Sequence, residues 1–174
     1  MILPARYEKV KYEDVPSNIQ CLIKDIQNSR KGIYIHGECG TGKTHIAYAI
    51  TKHLQENIKF NVKLYNIPSL IRHLKEDFNE NNKQLSEENT NFGKLLNFAG
   101  LLVLDDFGTE KLTEWVEESV YSIINERYER MLPIIFTSNL EPSKLVEKYG
   151  DRIVSRIIGS CDVVELKGDD KRIA

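Results

Sequence analysis

The chain has 174 residues, 41% of them hydrophobic and 29% charged, with a net charge of −2. That length suits one domain able to bury ~70% of its unfolded surface without disulfides or metals, and the composition is neither that of a disordered chain nor that of a membrane protein. So small a net charge excludes a globally basic nucleic-acid binder and leaves room only for a local basic strip. No apolar run approaches the ~20 residues of a membrane span. The opening Met-Ile-Leu-Pro-Ala-Arg-Tyr lacks the charged-then-apolar layout of a signal peptide. The cytoplasm is therefore the expected compartment. Cys21, Cys39 and Cys161 are odd in number and form no C-x-x-C pair, so neither a disulfide framework nor a zinc site is expected.

Residues 1–20 read as an extended lead-in, with basic Arg6, Lys9 and Lys11 and a Pro16-Ser17-Asn18 cluster suited to a turn or the start of a helix. Ile19, Leu22, Ile23 and Ile26 then keep a helical period, which should stop near Arg30-Lys31-Gly32. Ile33-Tyr34-Ile35-His36 reads as a short buried strand. The next stretch, Gly37-Glu38-Cys39-Gly40-Thr41-Gly42-Lys43-Thr44, meets the pattern G-x-x-x-x-G-K-[ST] at every fixed position. Ile46, Ala47, Ile50 and Leu54 follow at helical spacing, so a helix should run from about Lys43 to Gln55. Strand, glycine loop and helix in that order point backbone N–H groups and the positive end of a helix dipole into one hollow, which suits a polyphosphate. Lys43 would reach the β- and γ-phosphates of a nucleoside triphosphate, and Thr44 would ligate Mg²⁺. Cys39 is read as a tolerated small residue of the loop.

Phe60–Tyr65 alternates apolar and polar residues, as a strand near a sheet edge does. Ile67, Leu70, Ile71 and Leu74 form the next helical stripe, and residues 79–91 are a polar surface excursion. Leu101-Leu102-Val103-Leu104 is an unbroken apolar run ending in Asp105-Asp106, the pattern of a parallel strand buried on both faces. Thr113 should cap a helix reaching about Met131, in which Trp115 and Tyr121 are packing residues. Pro133–Asn139 is another buried strand. Pro142 starts a short helix, Asp151 to Ile158 forms another, and Val163–Leu166 is a last short strand. Strands alternating with helices give an α/β fold, a single domain over 1–174 with a mainly parallel sheet and right-handed crossovers. There is no internal repeat.

In an open parallel sheet, ligands bind beyond the carboxyl ends of the strands, where Asp105, Asp106 and Asn139 all fall. A hydrophobic strand ending in Asp is the Walker B arrangement. Asp105 would hold Mg²⁺ through water, and Asp106 would orient the attacking water or accept its proton. Asn139 is either a cap before Glu141-Pro142 or a donor to the lytic water and γ-phosphate. Arg152 and Arg156, four apart, share one helix face. They are either solvated arginines paired with carboxylates or a guanidinium supplied in trans to a γ-phosphate.

Four stretches together resemble the AAA+ ATPases: Gly-Glu-Cys-Gly-Thr-Gly-Lys-Thr-His-Ile-Ala, Leu-Val-Leu-Asp-Asp-Phe-Gly-Thr-Glu, the Thr-Ser-Asn strand end, and Gly-Asp-Arg-Ile-Val-Ser-Arg-Ile. More narrowly, Lys-Thr-His and Asp-Asp-Phe-Gly resemble the ATPase domain of bacterial replicative helicase loaders of DnaC/DnaI type and the related IstB-like transposition ATPases. The opening Pro4-Ala5-Arg6-Tyr7 and the closing Gly168 and Arg172 are also similar to that domain. The resemblance implies a three-layer P-loop sandwich of AAA+ type with a 5-1-4-3-2 sheet. It implies ATP or ADP with Mg²⁺ at residues 37–44 and His45, Asn139 as sensor 1, Arg156 as the arginine finger with Arg152 as runner-up, and Arg172 as the sensor 2 arginine. Only 18 residues follow Arg156, too few for the helical lid of most AAA+ proteins. The segment by which loaders grip their helicase is also missing, as in a domain cut from a longer protein or a chain that recruits its partner otherwise.

The function these features imply is a slow, assembly-dependent ATPase, self-associating through its ATP site, that loads or remodels a DnaB-type replicative helicase on single-stranded DNA, away from membranes. A transposition helper of IstB type shares every motif. A small-molecule phosphoryl transferase is the rival from another class, since such enzymes also pair a phosphate loop with an acidic residue.

Overall fold

The computed structural model describes residues 4–80, 90–168 and 170, apart from the side chains of residue 27 and residues 77–80. Five strands, β1 (Gly32–His36), β2 (Val62–Asn66), β3 (Leu101–Phe107), β4 (Ile134–Ser138) and β5 (Cys161–Glu165), pair in the order β2-β3-β4-β1-β5. Every pairing is parallel. Counted from the β5 edge, this is the 5-1-4-3-2 sheet that the resemblance implies, and β2 is indeed at an edge.

Among the described residues six α-helices, α1 (Ser17–Ser29), α2 (Lys43–Glu56), α3 (Ile67–Glu80), α4 (Asn91–Leu96), α5 (Glu114–Glu129) and α6 (Pro142–Ser160), connect and cover the strands. Alternate strand residues face opposite layers, as the two-residue period of a strand requires. Ile33, Ile35, Val103 and Ile135 pack with Ile19, Ile23, Ile46 and Ile50 of α1 and α2. Tyr34, Leu102, Leu104 and Phe136 pack with Leu70, Ile123 and Ile153 of α3, α5 and α6. The continuous apolar runs of β3 and β4 are thus explained by burial on both faces.

As expected, α1 stops at Arg30-Lys31-Gly32, with Arg30 in the left-handed region at φ 54°. Gly32 opens β1, where an added Cβ would lie 2.1 Å from the Ile134 carbonyl oxygen, so its role is to let two strands approach. The polar excursion is shorter than 79–91, since Glu80 closes α3 and Thr90 caps α4, its hydroxyl accepting from the Gly93 N–H at 3.0 Å. Residues 81–89 of that stretch lie outside the described residues. The two helices expected on either side of Gly150 are both present and meet at a kink there, at φ 74° and ψ 165°.

Candidate functional site

Gly42 is the N-cap of α2 and adopts φ 96°, a left-handed conformation that a residue with a Cβ enters at a cost of about 1–2 kcal/mol. The loop therefore turns straight into the helix, and the unpaired N–H groups of the first turn open into the hollow it encloses. The Thr41 hydroxyl donates to the Glu38 carbonyl at 2.9 Å. Lys43 is buried, and its Nζ donates to the carbonyls of Gly37 at 2.9 Å and Glu38 at 2.7 Å. The ammonium group is thus held at the loop rather than in bulk solvent.

Across the sheet the acidic pair is arranged by a β-bulge. Leu104 stands opposite Phe136 and Phe107 opposite Ser138, so Asp105 and Asp106 together face Thr137. The buried Thr137 hydroxyl serves both, donating to Asp105 Oδ1 at 2.6 Å and accepting from the Asp106 N–H at 3.1 Å. Asp106 adopts φ 58°, strained for a residue with a Cβ. Its Oδ2 accepts from Asn66 Nδ2 at 3.1 Å, because the parallel register sets Asn66 at the end of β2 opposite Asp105. Asp105 is only 2% exposed. Burial holds its carboxyl above the ordinary range, opposed by hydrogen bonds from Thr137 and from Thr44. The influence of Thr44 on Asp105 sets the glycine loop beside the end of β3.

A cavity of about 750 Å³ opens there, with Lys43, Thr44, His45, Asp106 and Asn139 along one side and Arg6, Tyr7 and Asp14 of the lead-in along the other. The lead-in is fastened to α2 by rings and charges. Tyr7 stacks on Tyr48 with centroids 4.3 Å apart, Tyr12 stacks on His53 at 3.7 Å, and Asp14 Oδ2 meets His45 Nε2 at 3.2 Å. A second hollow of about 370 Å³ lies beside Gly37, Glu38 and Thr41. Asn139 lines both hollows. Its neighbours are held fast. Ser138 Oγ donates to the Phe107 carbonyl at 2.6 Å and accepts from the Leu140 N–H at 3.0 Å, and the Tyr34 hydroxyl donates to the Leu140 carbonyl at 2.7 Å.

The structure thus brings together the loop from Gly37 to Thr44, His45, Asp105, Asp106 and Asn139. Thr44 and Asp105 offer hard oxygen donors that suit Mg²⁺, and among the described residues no cluster of three or more His, Cys, Asp or Glu side chains competes for a metal. Two protein ligands fit a cation that completes its shell with water and phosphate oxygens.

Arg152 and Arg156 are on the second half of α6, and neither lines the cavity of its own chain. The Arg152 guanidinium is 3.8 Å from the centre of the Tyr121 ring, and Arg156 donates from Nε to Asn125 Oδ1 at 2.7 Å and from a terminal nitrogen to the Arg152 carbonyl at 2.9 Å. Among the described residues neither arginine pairs with a carboxylate. Tyr121 does pack against the core, as expected, and also carries a cation. Arg172 lies outside the described residues. Asn66 was not named by sequence reasoning, and Thr137 only as part of the Thr-Ser-Asn strand end, with no role assigned. The signal each carries is position, a polar residue at the end of an apolar strand beside the acidic one.

The family model for IstB-like ATP binding proteins matches residues 18–174. The replicative helicase loader DnaI of Bacillus subtilis (strain 168) is 30% identical over 155 residues, which cover 82% of this chain and 48% of that protein. The chain therefore spans about half the length of that relative. A crystal structure of the DnaC helicase loader superposes with a TM-score of 0.80 at 25% identity, covering 94% of this chain and 100% of that one. AMPPCP-bound DnaA from Aquifex aeolicus superposes with a TM-score of 0.75 at 24% identity, over 98% of this chain and 53% of that one, a likeness of fold. Among the described residues no helix is long and apolar enough to cross a membrane.

Proposed function

That the chain belongs to the family of IstB-like ATP-binding proteins is the premise from which we propose its function: ATP hydrolysis at a site shared between copies, used to load a DnaB-type replicative helicase onto single-stranded DNA. The observation that carries this reading is the bulge at Asp105-Asp106, which aims two carboxylates at the loop bearing Lys43 and Thr44. The backbone amides and Lys43 bind the phosphates. Thr44 and Asp105 hold Mg²⁺, which when bound neutralises phosphate charge and fixes the phosphates in place. Asp106, steadied by Asn66, orients water toward the γ-phosphate and takes its proton. Asn139 donates to the same water or to the γ-phosphate.

An arginine from a second copy completes the site, because Arg152 and Arg156 stand clear of the cavity of their own chain. The nucleotide state then governs association, and association presents surfaces for the helicase and for a single strand. The likeness to the helicase loader DnaI supports this choice of partner. A second reading, a helper ATPase in transposition, is favoured by the IstB-like family match.

The test is to mix the purified chain with ATP, Mg²⁺, single-stranded DNA and the host helicase, follow ATP hydrolysis, and ask what co-elutes. ATP-dependent co-elution with helicase and DNA is the expected result. Co-elution with a transposase instead supports the second reading, and no ATP binding removes both.

A further inference from the structure

Two side chains at the turn that follows the acidic pair, one within it and one reaching over it, have no part in the proposed reaction. Glu110 is 6% exposed, its Oε2 accepts from the Gly108 N–H at 3.0 Å, and among the described residues its buried Oε1 has no hydrogen-bond partner. Lys148, on the first half of α6, donates from Nζ to the carbonyls of Gly108 and Glu110, each at 2.6 Å. A lysine placed for solubility keeps its ammonium group in water. This one reaches over the turn and bonds main-chain atoms on either side of Thr109.

The turn needs such support. Asp106 and Gly108 both have left-handed backbones, at φ 58° and 96°, and strained residues persist only where their surroundings over-determine them. The Thr109 hydroxyl bonds the Asp106 carbonyl at 2.8 Å, Ser138 bonds the Phe107 carbonyl, and Lys148 with the Glu110 carboxylate holds the remainder. Every residue from 105 to 110 is thus tied down, and Asp106 is the residue whose direction the turn sets.

We propose that Lys148 and Glu110 form a clamp that positions Asp106 for hydrolysis. Lys148 also belongs to the helix that is broken at Gly150 and then carries Arg152 and Arg156. The same side chain therefore links the water-directing carboxylate of one site to the element that offers an arginine to the next. Lys148 and Glu110 are positioning residues, and the proposal rests on the ATPase reading above.

The test compares the wild type with Lys148→Met, Lys148→Arg and Glu110→Ala by three measurements: amide hydrogen exchange over residues 106–110, affinity for a non-hydrolysable ATP analogue with Mg²⁺, and kcat. For Lys148→Met, exchange over that segment speeds up, analogue affinity stays within about twofold, and kcat falls on the order of tenfold, inside the ~10²-fold that misplacing a reacting group can cost. Lys148→Arg, which keeps the cationic donor, recovers most of kcat. Glu110→Ala, which leaves the main-chain bonds of Lys148 in place, behaves as a milder Lys148→Met and decides the matter by the same measurements should that variant not fold.

Unchanged exchange in both Lys148→Met and Glu110→Ala overturns the clamp. Faster exchange with wild-type kcat overturns its link to Asp106. Affinity lost in proportion to kcat makes the two residues merely structural. A wild type that binds ATP without hydrolysing it overturns the ATPase reading itself and the clamp's role with it, an outcome distinct from the other three.

Discussion

Thr137 shows how one hydroxyl can serve two acidic neighbours in different ways. It donates to the carboxylate of Asp105 and accepts from the backbone of Asp106, so it favours the charged form of the first and fixes the geometry of the second. Burial acts in the opposite sense on Asp105 and keeps its carboxyl protonated to higher pH than the ordinary 3.8. A carboxyl whose pKa is raised by folding favours the folded chain at low pH and costs stability as pH rises from 3.8 through the raised value. At neutral pH Asp105→Asn should therefore raise the melting temperature while removing the Mg²⁺ dependence of ATP binding. Proton competition implies that Mg²⁺-dependent ATP affinity weakens as pH falls through a window above 3.8, and Thr137→Val, which removes a stabilising donor, should move that window upward. Titrating affinity against pH in both proteins tests the sign. The glycine loop was legible in the sequence because its four fixed positions each demand a particular residue type. Thr137 and Asn66 were not, because their partners are set by register across strands, and an isolated Thr or Asn carries no trace of its register.

Among the elements, α5 does more than its apolar stripe suggests. Its Arg127, 3% exposed, donates to the carbonyls of Phe98 at 3.0 Å, Pro133 at 2.8 Å and Gly100. These acceptors lie just before β3 and β4, so one guanidinium fastens the starts of the strand that carries Asp105-Asp106 and the strand that leads into Asn139. Burial lowers its pKa to about 10, which leaves it charged at neutral pH. Arg127→Met would remove these bonds from the interior, although the Pro133 carbonyl keeps the Leu102 N–H at 3.3 Å, and since each unmet acceptor costs about 1–3 kcal/mol, a loss of ~3 kcal/mol in chemical denaturation is the expected outcome. Helix periodicity showed α2, α3 and α5 plainly, since their apolar residues recur every three or four positions. Arg127 was invisible to the same reasoning, because an arginine two residues from a helix end usually lies in solvent.

At the scale of the whole molecule, a sheet read strand by strand does not reveal its order. Alternating strands and helices implied a parallel sheet, and the 5-1-4-3-2 order came from family resemblance, since crossover rules allow several arrangements of five buried strands. The placement of Arg152 and Arg156 away from their own cavity bears on assembly. If either guanidinium completes a neighbour's site, its removal should leave ATP affinity unchanged and abolish the rise of ATPase rate per chain with protein concentration. Arg156 already spends donors on Asn125 and on the helix backbone, whereas Arg152 rests against Tyr121. Arg152→Ala should therefore cost more than Arg156→Ala, and a concentration series of both variants checks the order.

The aromatic lead-in has a practical bearing on where this fold can be shortened. The matched family model begins at residue 18, whereas Arg6, Tyr7 and Asp14 line the cavity beside the glycine loop. A protein trimmed to the shared portion would retain every signature residue yet leave Tyr48 and His53 without the rings that lie on them. Such a trimmed protein should still fold around its sheet but hold ATP at least tenfold more weakly, as isothermal calorimetry of the two lengths would reveal. Motif boundaries and pocket boundaries need not coincide.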